Sequence, residues 1–403
     1  MNAPGGPTST DGSARLPLIL AMLAREQGIT GVHTHVTHLR DHLAREGVAC
    51  RLVTPRTWAR SPWRRVLLLT VFAVSPMLER LHASTTHVRW YRRSHEFFLY
   101  LALRRELASA GACVVYAQCP ASARAALRAR CVPEQRVVLA VHFVSSQADE
   151  WALRGYIPPN GRTFRRIRRL EQEVLPAVDG LVFVSNWART ALLAWLPQAG
   201  RVPSRVVTNF VPGSAPRQRQ PRRADLVTVG NLLPVKNHGY LLRILAEAKR
   251  QGYRYTLDIF GEGMERPNLS RLAHELGLAD RVRFLGFQPD VAEQLPAYDA
   301  YVHTSYSESS CIAVMEAMAA GLPVVTTESG ALAELLDDPD QGRYWPIDEP
   351  ARAAEILVGL LASEAERARA GRAARARFER DYAADVVVPR LLAFMDGVQE
   401  PMG

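Results

Sequence analysis

Short apolar runs alternate with longer helical patterns along nearly the whole chain, and this alternation constrains the fold more than any single motif. Runs at 16–23, 48–54, 113–117, 137–143 and 180–185 read as strands, and a helix is expected over 33–46, closed by Gly47. A loop carrying Gly28 and Gly31 precedes that helix, and residues 56–110 read as mostly helical. Continuous apolar strands separated by helices predict parallel sheets covered on both faces. Residues 212–224, PGSAPRQRQPRRA, interrupt the rhythm with proline, glycine and charge. A second series follows, with strands at 225–230, 255–260, 281–285, 299–303 and 323–326. Its helices fall at 238–251, 265–276, 291–296 and 311–320, and a helical tail spans 351–395. At 403 residues and 48% apolar content the chain can bury two cores. The reading is an α/β protein of two doubly wound parallel-sheet domains facing across a cleft. A disordered terminus (1–14) precedes a first domain (15–211), a linker (212–224) and a second domain (225–380). A last helix (381–403) crosses back to the first.

Charge divides these halves. Residues 1–200 hold 26 arginines against 13 acids, whereas the second half is slightly acidic, within a net charge of +10. The first half therefore favours an anionic partner: a phosphate-bearing acceptor, a membrane surface or nucleic acid. Arginine outnumbers lysine so heavily (only Lys236 and Lys249 are lysines) that a GC-rich genome explains the bias better than function does. Five cysteines without CxxC spacing fit a reduced, cytoplasmic compartment. LPLILAMLA (16–24) resembles a signal-peptide core but reads better as a buried strand, and VLLLTVFAVSPML (66–78) is too short to span a bilayer.

The segment Ser307–Val325, SESSCIAVMEAMAAGLPVV, carries two carboxylates, Glu308 and Glu316, eight positions apart. At the helical rise the two carboxylates are expected about 12 Å apart along the axis and about 80° apart around it. Glu308 would then sit at the helix mouth and Glu316 two turns inside. A helix N-terminus attracts phosphate, while the acids suit sugar hydroxyls. The pattern suggests a ligand with phosphate in the middle and hydroxylated groups on both sides, a nucleotide-sugar. Upstream, VGNLLPVKN (229–237) ends a strand with a glycine turn and brings Lys236 within reach of a diphosphate. Gly261-Glu262-Gly263 is weak as a phosphate motif and needs no ligand as a tight turn. The single DxD, Asp338-Pro339-Asp340, lies in a polar loop, so no metal is expected.

These segments, with DIFGEGMERPNLSRLAHELGLADRVRFLGF and YDAYVHTSYSESSCIAVMEAMAAGLPVV, resemble the retaining glycosyltransferases of family 4, which have the two-domain GT-B fold. The resemblance is nearly continuous over 225–347 and thinner in the first half, where Thr30-Gly31-Val32, His142, Ser185 and Asn209 match family positions. It implies that Glu308 contacts the donor sugar and faces the reacting carbon, and that His142 touches the transferred sugar. It also implies that Glu316 holds the ribose, and that Lys236 binds the diphosphate with backbone N–H groups near Ser310, Cys311 and Ile312. Gly31 would admit the phosphates to the first domain's backbone, and the base would lie near Phe287. Asn231 stands where the family usually has arginine, which implies weaker donor binding or a replacement arginine from the first domain.

Other readings compete. A glycosidase pair would set its carboxylates roughly 5–9.5 Å apart. His35, His38 and His42 share a helix face, which suits a cleft-side surface better than a metal site. The sequence places no base to make Cys311 a nucleophile, and a small residue at a tight helix start explains it better. Trp58, Trp63, Trp90 and the arginines of 56–105 suit an anionic membrane, a polyanionic acceptor or a solvated helix. The expectation is a metal-independent retaining hexosyltransferase without cofactor, cytoplasmic or peripheral on the inner membrane face. It would take a nucleotide-diphosphate sugar, UDP-sugar favoured, with a lipid-linked, polysaccharide or glycoconjugate acceptor. A small natural product as acceptor, a basic nucleic-acid-binding protein and an inactive GT-B partner subunit are the alternatives; nucleic acid is not the expected partner.

Overall fold

The computed structural model describes residues 16–23, 30–80, 84–213 and 220–398. The expectation of disorder at 1–14, the position of Gly28 and part of the 212–224 linker lie outside them. Two six-stranded sheets are formed, and every strand pairing within them is parallel. The first contains β1 (Leu18–Ala21), β2 (Cys50–Val53), β3 (Cys113–Ala117), β4 (Gln135–Val141), β5 (Gly180–Phe183) and β6 (Ser204–Val206), in the order 2-1-3-4-5-6. The second contains β7 (Ala224–Val229), β8 (Leu257–Phe260), β9 (Val282–Gly286), β10 (Tyr298–His303), β11 (Val324–Thr327) and β12 (Gly342–Trp345), in the order 12-11-10-7-8-9.

The period-2 geometry of a strand splits β1 between two cores. Ile19 and Ala21 face helices Ser84–Leu107 and Pro120–Ala129. Leu18 and Leu20 face helix Gly31–Arg45 and the last helix, Ala384–Gly397. That last helix buries Ala384, Val387, Val388, Leu391, Leu392 and Met395 in the first domain's core, a stripe with the 3.6-residue period. The chain thus returns from the second sheet to the first, and a bridge between Val211 and Ala383 marks the crossing. β6 and β12 carry no strand signal in the sequence. Both are short edge strands, SRV and GRYW, and neither is fully buried. The expected helix at 291–296 is shorter, ending at Gln294 before a 3-10 turn.

In doubly wound sheets, ligands bind beyond the carboxyl ends of the strands, where strand order reverses. In the second sheet this point lies between β7 and β10, whose following loops carry Asn231–Lys236 and Thr304–Cys311. The first domain meets the same cleft at Gly31, which begins a helix, and at His142, just after β4. Close backbone packing positions the β7 loop. A Cβ on Gly261, whose φ is +137°, would fall 2.0 Å from the Gly230 carbonyl oxygen, and one on Gly263 would fall 2.3 Å from that of Leu232. The GxG is therefore required by the protein's own packing.

The last helix gives the fold a direct test. Replacing fully buried Leu391 with Ala should cost about 2–5 kcal/mol of unfolding free energy, measured by denaturant titration. A cost below about 0.5 kcal/mol, the range of surface substitutions, would contradict the packing of this helix in the first domain.

Candidate active site

Glu308 does not lie on the helix that follows it. Cys311 is the N-cap, with φ −127° and ψ 91°, and the helix runs from Ile312 to Ala319. Ser309 and Ser310 are non-helical, so the axial geometry of a single helix does not apply to the Glu308–Glu316 pair. Glu308 instead sits in a half-buried loop, with its carboxylate turned onto the end of β10. Its Oε1 accepts from Lys236 Nζ (2.5 Å) and Ser305 Oγ (2.7 Å) and lies 3.1 Å from His303 Nε2. Burial alone would raise the Glu308 pKa, but Lys236 and His303 outweigh it and hold the carboxyl well below the usual range. Burial would likewise lower His303, yet Cys311 and Glu308 raise it to about 9. Burial lowers Lys236 too, and Glu308 outweighs that, so the ammonium is retained.

The sequence reading gave Lys236 and Glu308 separate ligands. The structure makes them partners of each other and adds His303, which that reading missed. The available signal was a histidine ending a fully buried strand, five residues before Glu308. His303, Glu308 and Cys311 place one potential ligand atom each within 4.8 Å of one another. Glu308 Oε1 is already bonded by Lys236 and Ser305 and lies against His303, which fits a hydrogen-bonded cluster.

Behind this cluster the helix Ile312–Ala319 opens with no acid in its first turn and no side-chain cap. The N–H groups of such a turn have no intrahelical acceptor, and the dipole makes that end partly positive. Gly31 approaches it from the first domain: a Cβ there would meet Ile312 Cδ1 at 3.9 Å. That is ordinary contact, so packing alone does not demand glycine.

His142 lies at the end of β4. Gln118 donates its amide N–H to the Tyr116 carbonyl (3.3 Å), which leaves Gln118 Oε1 to accept from His142 Nε2 at 3.0 Å. This tautomer leaves Nδ1 as an acceptor. Burial lowers the His142 pKa to about 4, so the ring is neutral at pH 7. Two serine contacts bind the domains here: Ser309 Oγ donates to the His142 carbonyl (2.6 Å), and Ser185 Oγ donates to the Ser309 carbonyl (2.8 Å). A third tie is Glu334, which accepts from the backbone N–H groups of Asn186 (3.0 Å) and Trp187 (2.5 Å) at the start of helix Asn186–Trp195. Ser309 and Glu334 were not foreseen, and the resemblance marked Ser185 only as a strand-end polar residue, not as a tie between the domains.

Glu316 borders a separate open pocket of about 200 Å³, with His38, Val211, Pro289, Asp290 and Glu293. Phe287, half exposed, lies two residues before Pro289. Three carboxylates in this lining disfavour phosphate and suit hydroxyl or N–H donors. Asn231 is partly buried at the start of the β7 loop and adds no charge.

The site thus joins the Lys236–Glu308 pair to a cleft in which Gly31 approaches the helix start at Ile312, and Glu316 lines a separate pocket. Residues 29–214 match the family described as Glycosyltransferase Family 4, and residues 214–377 match Glycosyl transferases group 1. This chain belongs to the family 4 type of glycosyltransferases. It has the GT-B fold: an Anabaena HepE structure in complex with UDP aligns over 95% of this chain and 100% of that one, with TM-score 0.65 and 17% identity. A D-inositol 3-phosphate glycosyltransferase of Catenulispora acidiphila is 33% identical over 215 residues, 47% of this chain and 50% of that protein. A lipopolysaccharide core biosynthesis glycosyltransferase, LpsE of Rhizobium meliloti, is 33% identical over 135 residues, 34% of this chain and 39% of that protein. The chain spans about half the length or less of these two relatives.

The His303 cluster sets a pH signature. His303 titrates near 9 when folded and at about 6.5 when unfolded. The folded state therefore binds the extra proton between these values, and the stabilisation is complete below about pH 6.5 and lost as pH rises through about 9. Melting temperature should fall more steeply over this window in the wild type than in His303→Gln. Superimposable profiles would contradict the charged His303.

Proposed function

We propose that the protein transfers a hexosyl group, with retention and without metal, from a nucleotide-diphosphate sugar to a hydroxyl of a lipid-linked, polysaccharide or glycoconjugate acceptor. The observation that carries this reading is Lys236, which bonds Glu308 and is acted on by Cys311, the N-cap of the helix that starts at Ile312. Donor binding would exchange one ion pair for two better-matched contacts. Lys236 turns to the diphosphate, whose charge the helix N-terminus also meets, and Glu308 accepts from sugar hydroxyls. His142 Nδ1 accepts a hydroxyl of the same sugar. Glu316 holds the ribose, and the base rests near Phe287. UDP is favoured as the nucleotide, and the structural neighbour solved with UDP supports that choice.

In the reaction the bond between the sugar's anomeric carbon and the diphosphate oxygen breaks, and the diphosphate leaves with the electron pair. The acceptor oxygen bonds the anomeric carbon on the same face and passes its proton to the leaving phosphate. Lys236 and the backbone N–H groups stabilise the charge that develops there, so a cation's role falls to fixed protein groups.

The first domain also suits peripheral contact with an anionic membrane. No helix among the described residues is long and apolar enough to cross one. Helix Pro62–Arg80 nevertheless exposes Trp63, Val66, Leu67, Leu69 and Met77, and Phe97 is exposed on the next helix. Arg64 lies over the rings of Trp58 and Trp63. Exposed apolar residues beside arginines match a headgroup boundary, where a lipid-linked acceptor would be met.

A thermal-shift panel of UDP-, GDP- and ADP-sugars tests the donor reading. One class should raise the melting temperature, and Lys236→Ala and Glu316→Ala should each abolish the rise. No shift with any donor would overturn it. Vesicles containing anionic lipid should co-sediment the wild type, and Trp63→Ser with Leu69→Ser should abolish this. Equal sedimentation of wild type and variant would remove this helix as the contact.

A further inference from the structure

We propose that His38, on the first domain's leading helix, binds the donor's ribose together with Glu316, its Nε2 accepting from one hydroxyl of the ribose diol and the Glu316 carboxylate from the other. This rests on the donor reading above, which puts the ribose at Glu316. It adds a residue of the opposite domain to a contact that the resemblance gave to Glu316 alone.

The pocket of about 200 Å³ beside Glu316 draws its lining from both domains. His38 comes from helix Gly31–Arg45 and Glu316 from helix Ile312–Ala319. The polar side chains in the lining are His38, Asp290, Glu293 and Glu316. His38 and Glu316 are half-buried, whereas Asp290 and Glu293 are exposed. His38 and Glu316 are therefore the shielded pair, one from each domain. His38 also lies on the histidine face that the sequence assigned to the cleft side.

The tautomer of His38 follows from its backbone contact. Nδ1 lies 3.2 Å from the Phe210 carbonyl oxygen. A carbonyl only accepts, so Nδ1 carries the proton and Nε2 the lone pair. Burial outweighs the Phe210 bond and the Asp41 charge and lowers the His38 pKa, so the ring is neutral at pH 7. Among the described residues Nε2 has no hydrogen-bond partner. Carboxylates also only accept. The pocket thus offers four accepting side chains, and its one side-chain donor, the His38 Nδ1–H, is already used. A nucleobase edge carries acceptors as well as N–H donors, so part of it would face these lone pairs. A vicinal diol supplies two hydroxyl donors on adjacent carbons, one for each shielded acceptor. Phe210 fixes the ring next to Val211, which also lines the pocket and bridges Ala383 where the domains meet. A ribose held by His38 and Glu316 would span the two domains.

The test is calorimetry on the full-length protein with UDP, GDP and ADP, then with the 2′-deoxy and 3′-deoxy forms of whichever binds. Each deoxy form should bind the wild type about tenfold or more weakly, because a site built to bond a hydroxyl rejects the analogue that lacks it. His38→Ala should weaken the ribonucleotide by a similar factor, and removing one of the two hydroxyls should then cost nothing further. In Glu316→Ala the same should hold for the other hydroxyl, so that the pair divides the diol between them. His38→Gln, whose amide oxygen accepts, should keep part of the affinity. Unchanged ribonucleotide affinity in His38→Ala would overturn the proposal. So would a His38→Ala variant that still discriminates against both deoxy forms as the wild type does, which would mark His38 as structural. A wild type that binds all three forms equally would also overturn it, while leaving the donor reading in place. If the wild type binds none of the three nucleotides, the donor reading falls and this proposal with it.

Discussion

The rest of the site is organised around a single ion pair, Lys236 with Glu308, held in a half-buried cleft. Desolvating two opposite charges is costly, and their attraction offsets the cost only when further hydrogen bonds satisfy them. Here Ser305 and His303 supply those bonds to the carboxylate. The loop after β10 bends away from helix so that Glu308 can turn back onto this cluster. The loop after β7 is pressed against Gly261 and Gly263 so that Lys236 can reach it. The pair also places a cation and a carboxylate at the mouth of a helix whose first N–H groups are open. An anion flanked by hydroxyls can displace each partner from the other with little further rearrangement.

The two domains share this arrangement. Ser309, next to Glu308, is bonded in both directions to the first domain, through His142 and Ser185. Glu334 caps a first-domain helix from the second domain. The last helix is buried in the first sheet's core. Closing the cleft is therefore a matter of a few polar contacts next to the reacting groups, carried on two rigid sheets.

Much of the fold was legible because buried parallel strands are continuous apolar runs, as in LILA and CVVYA. The edge strands β6 and β12 were not, because three or four partly polar residues at a sheet edge have no such pattern. The helix start was legible from spacing; the resemblance singled out Lys236 and Glu316, but not the pairing of Lys236 with Glu308 or the separate pocket that Glu316 lines. The axial spacing assigned to Glu308 and Glu316 did not hold, because Ser309, Ser310 and Cys311 are non-helical and Glu308 turns back to Lys236. His303 was invisible for another reason. Its role comes from a tertiary neighbour, Glu308, and no local period in the sequence encodes that contact.

The central claim is that Lys236 and Glu308 are partners without donor and separate when donor binds. A crystal structure with the bound nucleotide-sugar tests this directly. The account expects Lys236 Nζ on a phosphate oxygen and the Glu308 carboxylate on the sugar's hydroxyls, with their mutual contact broken. A donor bound with the Lys236–Glu308 contact intact, or away from the Ile312 helix start, would contradict it.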